Sequence, residues 1–208
     1  MLKNKWFVFS VCLFVIPLVV DLMFYNQLPA HIPTHFDVNN QVDGTMSKFV
    51  GLFGVLGFCF VLHVFCCFVT MKDPKSNNIP SFIMQILFMI CPLACMCVNF
   101  ISIYYGLGHS MNVGLFINLL VSILMIVLGN YLPKIKRNYV VGIKTSWALN
   151  SDENWNRSNR FGGYCMVLAG IFYFISSLFG NIVIGICVLI VACFCPIIYS
   201  YLLFKRGI

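Results

Sequence analysis

Hydrophobic and polar positions along this chain fall into long blocks, not a short-period alternation. Apolar runs extend from Trp6 to Phe24, Phe49 to Met71, Phe82 to Tyr105 and Val113 to Leu132. Each is long enough to cross about 30 Å of hydrocarbon as a helix. From Tyr164 to Phe204 the chain is apolar throughout, too long for one crossing, and Gly180-Asn181 near its middle supplies a turn. The pattern predicts an all-α integral membrane protein with six transmembrane helices, the last two joined by a very tight hairpin. The first run is followed not by a small-residue cleavage site but by Asp21 and Phe24-Tyr25, so it reads as a retained helix.

Composition agrees with this reading. The hydrophobic fraction is 61%, the charged fraction 9% and the mean hydropathy +0.93, which a soluble domain of 208 residues could not carry on its surface. Positive charge then orients the chain. Lys3 and Lys5 precede the first run, Lys72 and Lys75 follow the second, and Lys205-Arg206 lie at its end. Lys134, Lys136, Arg137, Lys144, Arg157 and Arg160 lie between the fourth and fifth runs. Twelve of the 13 basic residues thus fall on one face, with Lys48 at the edge of the other. The expectation is cytoplasmic N and C termini, a cytoplasmic basic loop and an outward first loop. The net charge of +7 is accounted for by topology and is no argument for direct nucleic-acid binding. Residues 1–71 read as an N-terminal helical hairpin, and 72–208 as a core of four helices with a basic loop at 133–162.

The polar residues inside the runs carry separate expectations. Asp21 lies 15 residues after Trp6, about 22 Å along a helix. It is either a boundary residue reaching the headgroups or a group facing a water-filled vestibule. His63, Gln85, Asn99 and Asn118 read as interhelical hydrogen-bonding groups. Pro17, Pro92 and Pro196 each free a carbonyl one turn earlier, predicting kinks. All 11 cysteines fall in predicted helices or at their ends, without histidine or carboxylate partners, and read as small hydrophobes. No disulfide framework is implied.

The outward loop, residues 25–47, bears His31, His35, Asp37 and Asp43. His31 and His35 are four apart, but Pro33 between them disfavours a helix, so the segment is expected to be extended or turned. His31, His35 and Asp37 are weak candidates for a metal site; the alternative is a structured proline-rich turn in which His35 bonds backbone groups. Asp43-Gly44 reads as a tight turn. The loop presents an anionic, histidine-bearing surface whose charge varies with pH.

The basic loop has a formal charge of +4, with six cations against Asp152 and Glu153. Each Lys or Arg near an anionic leaflet contributes about 1 kcal/mol, so anionic lipids are expected partners. Asn150 or Ser151 is a plausible N-cap for a short helix whose first turn carries the two carboxylates. Trp147 and Trp155 suit the headgroup level.

The stretch Gly129-Asn130-x-x-Pro133-Lys134-x-Lys136-x-Asn138-x-x-x-Gly142-Ile143-Lys144-x-x-Trp147-x-Leu149-x-Ser151-x-x-x-Trp155-x-x-x-x-Arg160-x-x-Gly163 resembles the SdpI family of bacterial immunity proteins. The N-terminal Leu28-Pro29-x-x-Ile32-Pro33-x-His35-Phe36, followed by Asp43-Gly44, resembles the uncharacterised domain commonly fused ahead of that core. Departures are Lys144 where arginine is more usual, Ala148 for threonine and Asn159 for histidine. The resemblance implies resistance to a secreted peptide toxin. It also implies a receptor role, in which a cytoplasmic helix-turn-helix autorepressor is held at the membrane when toxin is present. On this reading His31, His35, Asp37, Asp43 and Asp21 face the toxin. Asn130, Pro133, Lys134, Asn138, Gly142, Lys144, Trp147, Trp155 and Arg160 serve repressor docking. No enzyme activity and no cofactor are expected. Two alternatives remain: a metal-dependent membrane enzyme built on the outward loop, disfavoured by the lack of a compact acid–base constellation elsewhere. The other is a small peptide or lipid transporter using Asp21, His63 and Gln85, disfavoured by few mid-membrane charges and no visible repeats.

Overall fold

The computed structural model describes residues 4–180 and 182–208. Lys3 and Asn181 lie outside the described residues. Six helices are long and apolar enough to cross a membrane: Lys5–Gln27, Val50–Lys72, Ser81–Gly106, Val113–Lys134, Asp152–Leu178 and Val183–Lys205. The fold is that of an all-α multi-pass membrane protein. Its helices turn large apolar side chains outward, among them Val19, Leu22, Phe58, Val61, Phe65, Phe172 and Phe194. In water such a surface would aggregate; against lipid it is solvated.

The first span is broken into α1 (Lys5–Cys12) and α2 (Val15–Phe24). Pro17 has no N–H for the Leu13 carbonyl, and that carbonyl instead accepts from Ile16 at 3.1 Å. The remaining helices are α3 (Val55–Lys72), preceded by a widened turn at Val50–Gly54, α4 (Ser81–Gly106), α5 (Val113–Tyr131), the short α6 (Ser146–Asn150), α7 (Asp152–Leu178) and α8 (Ile182–Lys205). The latter two are separated by Gly180 at φ +70°, a left-handed value glycine adopts without strain. Helices α4 and α8 continue through Pro92 and Pro196.

Two expectations are corrected here. The fifth span starts at Asp152, not near Tyr164, so the short helix expected after Ser151 is the first part of that span, and Arg160 stands on it as Trp155 does. Ser151 is its N-cap, its hydroxyl accepting the Asn154 N–H at 3.2 Å, with Asp152 and Glu153 in the first turn. The apolar run failed to reveal this start because the helix's early buried face is polar: Asn154, Ser158 and Asn159 are all buried. The first interhelical segment forms an antiparallel hairpin of β1 (His31–Phe36) and β2 (Val42–Ser47). Asp43 and Gly44 lie within β2, not in a turn. The reversal is at 37–41, where Asp37 Oδ1 accepts the N–H of Asn39 at 2.9 Å and of Gln41 at 2.7 Å. Asn40 sits at φ +62°, which asparagine tolerates better than most residues.

The chain forms two compact units: residues 1–71 with 84–114, and residues 72–83 with 115–208. In the first, Leu28, Ile32, Leu52 and Ile103 make a buried cluster that seats the hairpin on its helices. A methyl group on Gly51 would come within 3.0 Å of the Ile32 side chain, so this close seating requires glycine. In the second, α5 and α7 meet backbone to backbone. A Cβ on Gly129 would lie 3.0 Å from the Gly163 carbonyl, and one on Gly170 3.0 Å from that of Ser122. Farther along the same seam the Tyr173 hydroxyl donates to Asn118 Oδ1 at 2.7 Å. Small residues and one polar pair hold these helices, as lipid-embedded packing favours.

Candidate functional site

The hairpin of the first unit is tied down by Asn40, Phe36 and Lys48. Asn40 Nδ2 donates to the Met111 carbonyl at 2.9 Å, and its Oδ1 accepts the Val113 N–H at 2.7 Å. Phe36 packs on Tyr105 with ring centroids 4.7 Å apart. Lys48 Nζ donates to the carbonyls of Tyr25 and Leu28 and lies over the Tyr25 ring. His35 and Asp43 meet across the strands through Nδ1 and Oδ1 at 2.5 Å, and both stay exposed. The register irregularities on either side of His35 bring this pair together. His31 is exposed at the start of β1. Asp37 is spent on the turn. His31, His35 and Asp37 are not drawn into one cluster, and among the described residues no group of three His, Cys, Asp or Glu side chains could hold a metal ion.

Beneath the hairpin, Asp21 of α2 is buried, and Asn99 Nδ2 of α4 donates to its two oxygens at 3.1 and 3.0 Å. Asp21 therefore does not reach the surface. Near the other end of the first span, Ser10 donates to the Phe7 carbonyl at 2.8 Å. That leaves its oxygen to accept from His63 Nε2 at 2.9 Å. Cys67 Sγ lies 3.6 Å from the His63 ring nitrogens. Asn99 and His63 thus bond between helices, as their positions suggested.

In the second unit the basic segment is a folded cap. Asn138 is buried and satisfies four backbone groups: Oδ1 accepts from Val140 and Val141 at 2.8 and 2.7 Å, and Nδ2 donates to Lys136 and Val141 at 2.9 and 3.0 Å. Asp73 accepts the Tyr139 N–H at 3.0 Å, and Asn78 donates to the Arg137 carbonyl at 2.6 Å. Trp155 is fully buried and donates to the Ile135 carbonyl at 2.8 Å. Asn159, one turn on, accepts the Ile143 N–H at 2.9 Å. Gly142 between them has φ +130°, and a Cβ there would lie 2.7 Å from the Trp155 ring. Asn154 ties the cap to the chain's end, donating to the carbonyls of Ser200 and Ile208 at 3.0 and 3.1 Å.

Asn138, Gly142 and Trp155 therefore shape the cap from within. Asn130, Pro133, Lys134, Lys144 and Arg160 are exposed. Lys134 lies over the Tyr131 ring, Lys144 donates to the Tyr139 and Val140 carbonyls, and Arg160 Nε donates to the Tyr164 hydroxyl at 3.2 Å. Trp147 packs between Tyr201 and Phe204. Beside these, Lys75, Asn78, Lys136, Arg137, Asp152 and Asn156 line a polar cavity of about 520 Å³. Arg137 bridges it, pairing with Asp152 at 2.8 Å and donating to the Leu149 carbonyl at 2.9 Å.

Residues 134–200, which span the cap, α6, α7 and most of α8, match the SdpI/YfhL protein family. Residues 12–60, with α2 and the hairpin, match a domain of unknown function, DUF1648. Over 213 residues the chain is 26% identical to the immunity protein SdpI of Bacillus subtilis (strain 168), covering 99% of this chain and 98% of that protein. Along nearly its whole length the chain is therefore similar to an SdpI immunity protein. No solved structure matches it.

Sequence reasoning missed the carboxylate and amides that build the cap, Asp73, Asn78, Asn154 and Asn159, with Arg137 as the cross-brace. Asn154 with Ser158, and Trp155 with Asn159, stand four apart, a helical spacing readable within the supposed loop. Asn40 of the hairpin carried no signal beyond its tolerance of a left-handed turn.

Proposed function

We propose that this chain is a membrane immunity protein of the SdpI/YfhL family that protects its cell against a secreted peptide toxin. Its outward hairpin faces the toxin and its basic cap faces the cytoplasm. The observation that carries this reading is full-length similarity to a protein named for immunity, with the family's motif residues built into one folded cap. The six spans support the topology. Three of them lie between the hairpin and the cap along the chain, so the two polar segments emerge on opposite sides. The excess of cations in the cap makes that side cytoplasmic.

Toxin contact is assigned to His31, His35, Asp37 and Asp43 at the hairpin and Asp21 beneath it. A cytoplasmic helix-turn-helix autorepressor docks on Lys134, Lys144, Trp147 and Arg160, with the polar cavity at Lys75, Lys136 and Arg137 extending that surface. A repressor is basic where it reads DNA, so this cationic surface meets a different, acidic face of it. Anionic lipids border the same cations. The protein acts without catalysis or cofactor. Expression of the chain in a toxin-sensitive strain tests the reading: survival under the producer's culture supernatant should rise with expression. Unchanged killing at normal membrane levels of the protein would refute it.

A further inference from the structure

A cavity of about 390 Å³ lies within the first unit, walled by α2 and α4. Its walls are hydrocarbon: Pro17, Val20 and Phe24 from one helix, Met96, Phe100 and Ile103 from the other. Asn99, Tyr104 and His109 are the polar side chains that line it. The Asn99 amide is backed by Asp21, which is not itself part of the lining. Its Nδ2 is committed to Asp21, while its Oδ1 is buried and has no hydrogen-bond partner. Asn99 and Asp21 are respectively 2% and 0% exposed. Among the described residues, no Lys, Arg or His pairs with Asp21. A buried acceptor left unmade costs about 1–3 kcal/mol, and a carboxylate in hydrocarbon without a cation costs more. Two unrelieved costs in contact, one of them on the wall of an apolar cavity, mark a place where a ligand completes the site.

We infer that this cavity binds the ammonium group of a hydrophobic peptide, a lysine side chain or free N-terminus. Its apolar stem lies along Val20, Met96 and Phe100, and its charge meets Asn99 Oδ1 with Asp21 behind that amide. The chemistry follows from what is missing. Asn99 Oδ1 needs a donor, Asp21 needs a positive charge, and an ammonium supplies three donors and the charge together. A carboxylate or phosphate would face the Asn99 acceptor with the Asp21 charge behind it and be excluded. A hydrocarbon chain would fill the volume and leave both acceptors unmet. The inference rests on the reading of Asp21 as ligand-facing, and it names the part of a peptide that side chain would take.

The test uses the full-length protein in phosphatidylglycerol nanodiscs with a twelve-carbon alkylamine bearing a tail diazirine, alongside the matched alcohol and carboxylic acid. Photolabelled residues are located by mass spectrometry. The amine should label Met96, Phe100 or Ile103 about tenfold more than the acid, the ratio that a single charge-assisted contact of about 1.4 kcal/mol supplies. Labelling should be lost in Asp21→Asn and in Met96→Trp, which fills the cavity but leaves the acid and amide in place. A hydrophobic peptide with one lysine should compete, and its norleucine twin should not. Equal labelling by amine, alcohol and acid, or amine labelling unchanged in Asp21→Asn, would overturn the site. Competition by phosphatidylethanolamine but not by the lysine peptide would overturn the peptide as its occupant. The immunity reading is judged separately: an Asp21→Asn protein that still protects cells while losing the label keeps the site and removes it from immunity.

Discussion

The hairpin and the basic cap are both rich in charged and polar residues, yet they use them in opposite ways. In the cap, neutral side chains do most of the internal bonding, joined by Asp73 and by the Arg137 cross-brace. Asn138, Asn154, Asn159 and Trp155 satisfy backbone groups inside it, and Lys134, Lys144 and Arg160 are left on its surface. In the hairpin a carboxylate, Asp37, holds the turn, Asn40 fixes it to the segment after α4, and the His35–Asp43 pair spans the strands in the open. A charge inside a folded loop costs desolvation that an amide does not. The cap can therefore be buried and specific while its cations stay available. The hairpin, thin and exposed, tolerates an ionic turn.

The contrast is broken most severely at Trp155. Its truncation in Trp155→Ala empties the centre of the cap and orphans the Ile135 carbonyl, at a cost of about 3–5 kcal/mol. Thermal unfolding in detergent, followed by fluorescence, should show a large drop or loss of folded protein. Asn138→Ala removes four hydrogen bonds from a buried site and should cost about 2–3 kcal/mol by the same measurement. A wild-type unfolding curve for either variant would mean the cap is not held from within. At the hairpin, Asp37→Ala should cost about 1–2 kcal/mol, confined to the turn. Hydrogen exchange should quicken at residues 38–42 while the helices keep their protection.

Smallest is the expected stability change at His35→Ala, about 0–1 kcal/mol because the pair with Asp43 is exposed. Any loss of protection in that variant at equal membrane level reads as lost toxin contact and not as lost fold. Arg160→Ala, exposed on α7, should leave both unfolding and toxin survival near wild type but prevent a fluorescent repressor from moving to the membrane. If it abolishes resistance instead, hairpin and cap act as one unit.

The membrane fold was legible because lipid imposes a length on apolar runs: spans one to four end within a few residues of where Trp6–Phe24, Phe49–Met71, Phe82–Tyr105 and Val113–Leu132 place them. The start of α7 was not, because its first turns bury Asn154, Ser158 and Asn159 against other polar groups, and hydropathy cannot see a polar interior. Pro33 correctly excluded a helix at His31 and His35, but pairing of β1 with β2 depends on contacts far along the chain, through Asn40 to Met111 and Val113. The motif residues were visible as a pattern; which of them are internal and which exposed was not. Asn138 and Lys134 read alike in sequence, and only the fold separates a buried amide from an exposed cation.

The most direct test of the account is sidedness, since toxin contact and cytoplasmic docking both depend on it. Asn39→Cys places a thiol on the exposed hairpin turn, and Asn150→Cys places one on the exposed end of α6 in the cap. Read against the wild-type background of native cysteines, the first should react with a membrane-impermeant maleimide in intact cells. The second should react only after permeabilisation. Labelling of Asn150→Cys in intact cells with Asn39→Cys protected would contradict the account.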